Sequence, residues 1–191
     1  MIIIQHRVNK DSELEQEPFQ FGVEMDIRDN GKDLIVSHDP FKGGELFSDW
    51  LESYQHSFLV VNVKSDGIEN TISALLEKKG IKKYFFLDFA MPTLIRESLK
   101  KEKEIAVRFS EYEPLESVLC FSKKASWVWL DSFHTLNIDA NAWKILKENF
   151  KVCLVSPELQ GRDPKEIVEI RKKYPHYDFD AVCSKFPQYW L

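Results

Sequence analysis

Two histidines, several carboxylates and several cations stand in this chain directly after short apolar runs. His6 and Arg7 follow IIIQ (2–5), Glu24 and Asp26 lie within VEMDI (23–27), and Asn62 and Lys64 close FLVVNVK (58–64). Side chains in a strand alternate between faces, so Glu24, Asp26 and Arg28 point one way while Val23, Met25 and Ile27 point the other. The two acids therefore converge. Asn30-Gly31 then turns the chain, and the return run LIVS (34–37) ends at His38-Asp39. Asp88, Arg108, Ser110, Asp131, Glu158 and Lys185 occupy comparable places after later apolar runs. Gathered at one mouth, two histidines, oxygen-bearing side chains on adjacent strands and several cations are what hydrolysis of a phosphate ester would require.

The elements that must position these residues are legible as alternation. Apolar runs at 2–5, 23–27, 34–37, 58–63, 84–89, 105–109, 127–131, 151–156 and 180–184 read as strands. Between them lie stretches with helical spacing. Ile68, Ile72, Leu75 and Leu76 fall on one helical face, closed by Gly80. Further helices are expected over 92–103, 113–124, 139–149 and 163–174, with Asp139 and Asp163 as N-caps, the latter followed by proline at the first helical position. With 34–37 taken as the return arm of a hairpin, eight strands remain. Near-continuously apolar strands alternating with helices imply a parallel sheet buried on both faces. The expected architecture is a compact (β/α)8 barrel forming a single domain over 1–191, shorter than the ~200–250 residues usual for that fold, with the chemistry at the C-terminal ends of its strands.

Composition removes other classes. The chain has 26 Lys and Arg against 31 Asp and Glu, a net charge of −5 with the cations scattered, so no basic face for nucleic acid is expected. No run approaches the ~20 apolar residues of a membrane span. The opening MIIIQHR lacks the features of a secretory leader, and three widely spaced cysteines, each beside apolar residues, read as buried thiols. A cytoplasmic protein is expected. His56, His134 and His176 lie in polar segments and are read as exposed and non-catalytic, and Trp127 and Trp129 as packing one strand face against helices. Glu158 and Arg162, in the loop after the seventh strand, divide evenly between substrate contact and structure.

His6-Arg7 after the first strand, Glu24-x-Asp26, and Asn-Gly followed by LIVSHD ending at His38-Asp39 resemble the glycerophosphodiester phosphodiesterase family, of the phospholipase C-like phosphodiesterase superfamily. The resemblance is sharpest over residues 1–40 and continues through the strand spacing to VCSKFP at the end. It implies a metal-dependent phosphodiesterase of (β/α)8 fold acting on a small-molecule phosphodiester. By resemblance, His6 and His38 are the acid–base pair, and Arg7 and Lys64 hold the phosphate. Glu24, Asp26 and the residue at position 62 then bind one Mg²⁺ or Ca²⁺, while Arg108, Asp131, Glu158 and Lys185 are candidate substrate contacts.

The sequence departs from the family pattern in three places. Asn62 stands where the family has glutamate, which removes one negative charge from the metal site. Val8 replaces the glycine after His-Arg, and KDSELEQEPFQ gives an abbreviated first crossover. Only PFKGGELFSDWLESYQHS separates His38-Asp39 from the next strand, leaving no room for the subdomain the family inserts there. The alternative function is a barrel of this descent that is catalytically impaired and binds a phosphorylated or sugar-containing ligand.

Overall fold

The structure is a computed structural model that describes residues 1–100, 104–136 and 138–191. In chain order its strands are β1 (Ile2–Gln5), β2 (Gly22–Asn30), β3 (Asp33–Val36), β4 (Glu45–Leu46), β5 (Phe58–Val63), β6 (Tyr84–Leu87), β7 (Ala106–Phe109), β8 (Trp127–Leu130), β9 (Lys151–Val155) and β10 (Ala181–Ser184). The helices are α1 (Asp11–Leu14), α2 (Phe47–Ser53), α3 (Glu69–Lys78), α4 (Met91–Ser98), α5 (Leu115–Leu119), α6 (Ala140–Asn149) and α7 (Glu166–Lys173). Eight strands pair in parallel around a ring, β1-β2-β5-β6 and β7-β8-β9-β10, with β10 returning to β1. The halves meet again between β6 and β7 through one parallel bridge, Phe86 to Ile105. This is a (β/α)8 barrel, in which right-handed crossovers place the helices outside.

Period-two alternation divides the strands between two environments. Outward residues such as Val23, Met25, Ile27 and Val61 pack beneath α2 and α3, and Val107, Val128, Val152 and Val182 beneath the helices of the other half. Inward residues Ile4, Phe58, Val60, Phe85, Trp127, Trp129, Cys153, Ala181 and Cys183 fill the barrel. Here the structure corrects the expected placement of the tryptophans. β9 and β10 contribute only small side chains to the interior, and Trp127 and Trp129 occupy the volume this leaves, with the Trp127 ring 5.0 Å from Phe85 and 5.3 Å from Phe58. Gly22 permits the same crowding, since a Cβ there would lie 3.0 Å from Ile4 Cγ1 and from the Phe58 carbonyl oxygen.

Other expectations shift locally. α4 stops at Ser98, and 101–103 of the helix expected over 92–103 lie outside the described residues. α5 covers five residues of the expected 113–124. Asp139 caps α6 by accepting the Ala142 N–H, at 2.8 Å. Asp163 instead accepts the Lys165 N–H in a local turn, at 2.9 Å, and α7 begins at Glu166. Cys120 is exposed at the end of α5, whereas Cys153 and Cys183 are buried thiols. His56 is buried, with Nε2 bonded to the Glu17 carbonyl at 3.2 Å, because the abbreviated first crossover folds over it.

The hairpin forms as its sequence implies. Ile27 pairs with Val36 and Asn30 with Asp33 around Gly31, whose φ is 73°. β4 then adds to β3 at Gly44, where a Cβ would lie 2.3 Å from the Val36 carbonyl oxygen. Gly44→Ala is therefore expected to force the segment just before His38 apart, costing ~1–3 kcal/mol. Urea unfolding of the two proteins measures this, and equal midpoints would show that β4 yields without cost.

Candidate active site

The C-terminal ends of the strands form one polar mouth. His6 follows β1, tied by its backbone N–H to the Ser184 carbonyl at 3.0 Å. Arg7 adopts a left-handed backbone, φ 58°, uncommon for a residue with a Cβ. In that conformation its N–H donates to Glu24 Oε2 at 2.8 Å, so the turn that ends β1 is fixed by the acid on β2. Glu24 and Asp26 each point inward and are 1% exposed. Asp26 is in register with Asn62 on β5. The Asn62 amide donates to Glu24 Oε1 at 2.8 Å. Asn9 grips Asp26 twice, donating from Nδ2 to Oδ2 and accepting the Asp26 N–H, both at 2.9 Å. Arg7 Nε lies 3.5 Å from Asp26 Oδ2, and Lys64 Nζ lies 3.4 Å from Asp26 Oδ1 and 3.2 Å from Asp88.

Packing two carboxylates together out of water has an electrostatic consequence. Burial, and then the neighbouring Asp26 charge, push the Glu24 carboxyl well above the usual range against the opposing Asn62 hydrogen bond. His6 moves the other way. Burial and then the charges of Arg7, Lys185, Lys64 and His38 lower it to about 3, so its imidazole is neutral near pH 7. Its Nε2 lies 3.7 Å from Glu24 Oε2, and among the described residues its buried Nδ1 has no hydrogen-bond partner.

His38 reaches the mouth on the hairpin rather than on a barrel strand. Arg28 clamps the arm, donating from Nε to the Ser37 carbonyl at 3.2 Å and from Nη2 to the His38 carbonyl at 2.7 Å. The His38 side chain is 42% exposed, with Nδ1 2.8 Å from Asp39 Oδ1. Hydrogen bonds from Lys42 and His38 hold the Asp39 carboxyl well below its ordinary value, so it is ionised and can only accept. Nδ1 of His38 must therefore carry the proton, and Nε2 is the atom presented. His38 does not line the central cavity.

The opposite wall is built from paired charges. Arg108 bonds Asp88 Oδ1 at 2.5 Å and Asp131 Oδ2, and Gln160 donates to Asp131 Oδ1 at 2.8 Å. Asp88 is also left-handed, φ 64°, which turns the chain away at the end of β6. The Lys185 side chain faces the cavity, and its backbone N–H donates to Glu158 Oε1 at 2.9 Å. Glu158 itself is buried and also accepts from the Ser184 and Ser156 hydroxyls. A cavity of about 310 Å³ lies between these walls, lined by His6, Arg7, Glu24, Asn62, Arg108 and Lys185 among others.

The donor set suits a hard divalent cation. Glu24, Asp26 and Asn62 offer only oxygen ligands, and Asp26 Oδ1 and Asn62 Oδ1 are buried acceptors without a hydrogen-bond partner among the described residues. The set is lean. Asn62 supplies an amide rather than a carboxylate, and among the described residues no three of His, Cys, Asp and Glu cluster in metal-binding fashion. Arg7, Lys64, Arg108 and Lys185 stand against the carboxyls of Glu24, Asp26, Asp88 and Asp131, of which Glu24 is held toward its protonated form.

The structure thus brings His6, Arg7, Glu24, Asp26, Asn62, Lys64, Arg108 and Lys185 together, with Asp131 beneath Arg108, Glu158 behind Lys185, and His38 at the rim. Several participants escaped the sequence reading, among them Gln160, which carried no motif. Asn9 sits in a loop where asparagine ordinarily signals a turn, and Asp39 was visible only as the neighbour of His38.

No protein-family model and no curated protein sequence matches the chain. Solved structures do. A glycerophosphodiester phosphodiesterase from Agrobacterium tumefaciens str. C58 superposes with a TM-score of 0.68 at 14% identity, covering 100% of this chain and 97% of that one. An Oleispira antarctica phosphodiesterase in complex with the product sn-glycerol-3-phosphate gives 0.69 at 17% identity, covering 98% and 94%. A mutant tryptophan synthase α-subunit from Pyrococcus furiosus gives 0.60 at 15% identity, covering 98% and 88%. These likenesses establish the fold, and a fold shared by such different proteins leaves function to be argued from the site.

Proposed function

We propose that this chain is a divergent member of the glycerophosphodiester phosphodiesterase family, hydrolysing a small phosphodiester in the cytoplasm. His6 and His38 would transfer the protons, and Mg²⁺ or Ca²⁺ would be held by Glu24, Asp26 and Asn62. The observation that carries the reading is one cavity at the catalytic end of a (β/α)8 barrel lined by His6, Arg7, Glu24, Asn62 and Lys185, with Asp26 beside Arg7 and Lys64 beside Asp26 at its edge. The solved phosphodiesterases that share the fold agree with it.

In this reading Arg7 presents its planar fork to two phosphate oxygens while Lys64 and Lys185 add point charges. His6, neutral within this cationic wall, would take the proton of the attacking hydroxyl once the bound phosphate offsets the charges of Arg7, Lys64 and Lys185 that make its imidazole a weak base. His38 gives a proton from Nε2 to the leaving alcohol as the P–O bond breaks, and Asp39 stabilises the imidazolium beforehand. Asn9 and Glu158 hold Asp26 and the Lys185 backbone in place. When bound, the divalent cation supplies Lewis-acid polarisation of a phosphoryl oxygen.

The test is hydrolysis of a chromogenic phosphodiester with and without added Mg²⁺ or Ca²⁺; absence of turnover under every metal condition would reject the enzyme reading. One observation favours the second reading, a barrel that only binds a phosphorylated ligand: the Asn62 amide already bonds Glu24, and Arg7 and Lys64 already stand beside Asp26. Asn62→Glu separates the two. Restoring a third carboxylate is expected to tighten Mg²⁺ or Ca²⁺ binding by about tenfold or more, since ligand charge sets affinity at such sites. Calorimetric titration giving the same affinity in both proteins would remove Asn62 from the metal site.

A further inference from the structure

We infer that the seam between β6 and β7 is a second subsite, which takes an alkyl arm of the phosphodiester. The inference rests on the phosphodiester reading and deepens it by naming the substrate class.

After the Phe86–Ile105 bridge no ladder continues between β6 and β7 among the described residues, and Asp88 turns the chain aside. Above the bridge a cleft of about 200 Å³ opens between α4 and α5. Its walls are mainly apolar, with Leu87, Phe89, Leu94, Val107, Val118 and Phe121 around it. Leu87, Asp88 and Arg108 line both this cleft and the central cavity, so the two spaces adjoin at the mouth. A molecule whose phosphate rests on Arg7 and Lys64 can therefore send an apolar arm past the Arg108–Asp88 pair into the seam.

A second observation points to a chain rather than a compact group. Met91, on the cleft wall, is 58% exposed, and Ile95 and Leu99, one and two turns further on, are 49% and 72% exposed. Positions four apart share a helical face, so apolar surface continues from the cleft along the outside of α4 to Leu99, which caps its C-terminal end in helical conformation. A small polar alcohol such as glycerol would use neither the cleft nor this stripe, whereas an alkyl chain would bury against both.

The experiment is calorimetric titration of methyl phosphate and of octyl phosphate below its micelle concentration. It compares wild type, Ser117→Trp, which fills the cleft from exposed α5, and Met91→Glu, which charges its rim. Thermal melts establish that each variant is folded, and Met91→Glu carries the test if the Ser117 variant is not. Octyl phosphate is expected to bind wild type at least about tenfold tighter than methyl phosphate, a few buried methylenes sufficing. Both variants should bring that ratio close to one while leaving methyl phosphate affinity unchanged. Equal binding of the two ligands by wild type, or a ratio undiminished in the folded variants, overturns the seam subsite while the phosphate site stands. If only octyl phosphate binds, and binding is lost in the variants, the subsite stands and the phosphate reading fails. If neither ligand binds, both fall.

Discussion

Replacing His38 with alanine is expected to lower phosphodiester turnover by ~10²–10⁴-fold, the usual contribution of a positioned proton-transfer group, while leaving the melting temperature nearly unchanged. The separation of the two effects follows from where the residue sits. Its ring is 42% exposed and, among the described residues, bonds only Asp39, while Arg28 holds the arm through backbone carbonyls that alanine retains. His6 offers no such clean contrast, because it is largely enclosed and packed against Glu24. The measurement is a thermal melt beside hydrolysis assayed with and without divalent metal. Unchanged metal-dependent turnover would end the assignment of His38 as a proton carrier, and a steep fall in melting temperature would make it a structural residue of the hairpin instead.

Trp127→Ala should do the opposite, removing ~3–5 kcal/mol of stability, the range for truncating a large buried aromatic side chain. Trp127 is 2% exposed inside the barrel and contacts the rings of Phe58 and Phe85. Its Nε1 donates to Glu104 at 3.2 Å, so the substitution also strips a hydrogen bond from that carboxylate. The ring of strands resists contraction around the hole, because hydrogen-bonded ladders join its neighbouring strands on every side but the seam between β6 and β7, which share one bridge. Urea unfolding reads the loss, and a change below ~1 kcal/mol would show that the interior repacks. Phosphate affinity measured well below the transition should survive, since Trp127 lies at the end of the barrel remote from the mouth.

These contrasts show where the sequence is informative. Alternation in GVEMDI placed Glu24 and Asp26 on one face, and Asn30-Gly31 announced the turn that returns the chain to His38; both are local rules, and both hold. The eight apolar runs likewise sufficed for the barrel. The face that WVWL turns inward was not legible, because both of its alternating sets are apolar and only the small residues of β9 and β10 decide between them. Asp163 read as a cap because Pro164 follows it, but its carboxylate is taken by a turn before α7 begins. Asn9 was hidden because its partner, Asp26, lies seventeen residues away, and the seam between β6 and β7 because no composition marks a ladder that fails to continue. The charges of the far wall were visible singly, but their pairing through Arg108 depends on three strands meeting.

The two histidines belong to bodies of different kinds. His6 is fixed to the closed ring through its backbone and through Glu24, so any change to its setting disturbs residues that also hold the acids and Lys64. His38 rides on an outlying hairpin, whose further edge is a two-residue strand. Insertions and exchanges are tolerated best in such surface connections. On the proposed reading, the half of the site that would grip phosphate is built into the closed ring, while the half that would face the departing alcohol rides on a surface connection. Leaving-group preference would then change by remodelling one appendage, with the barrel untouched.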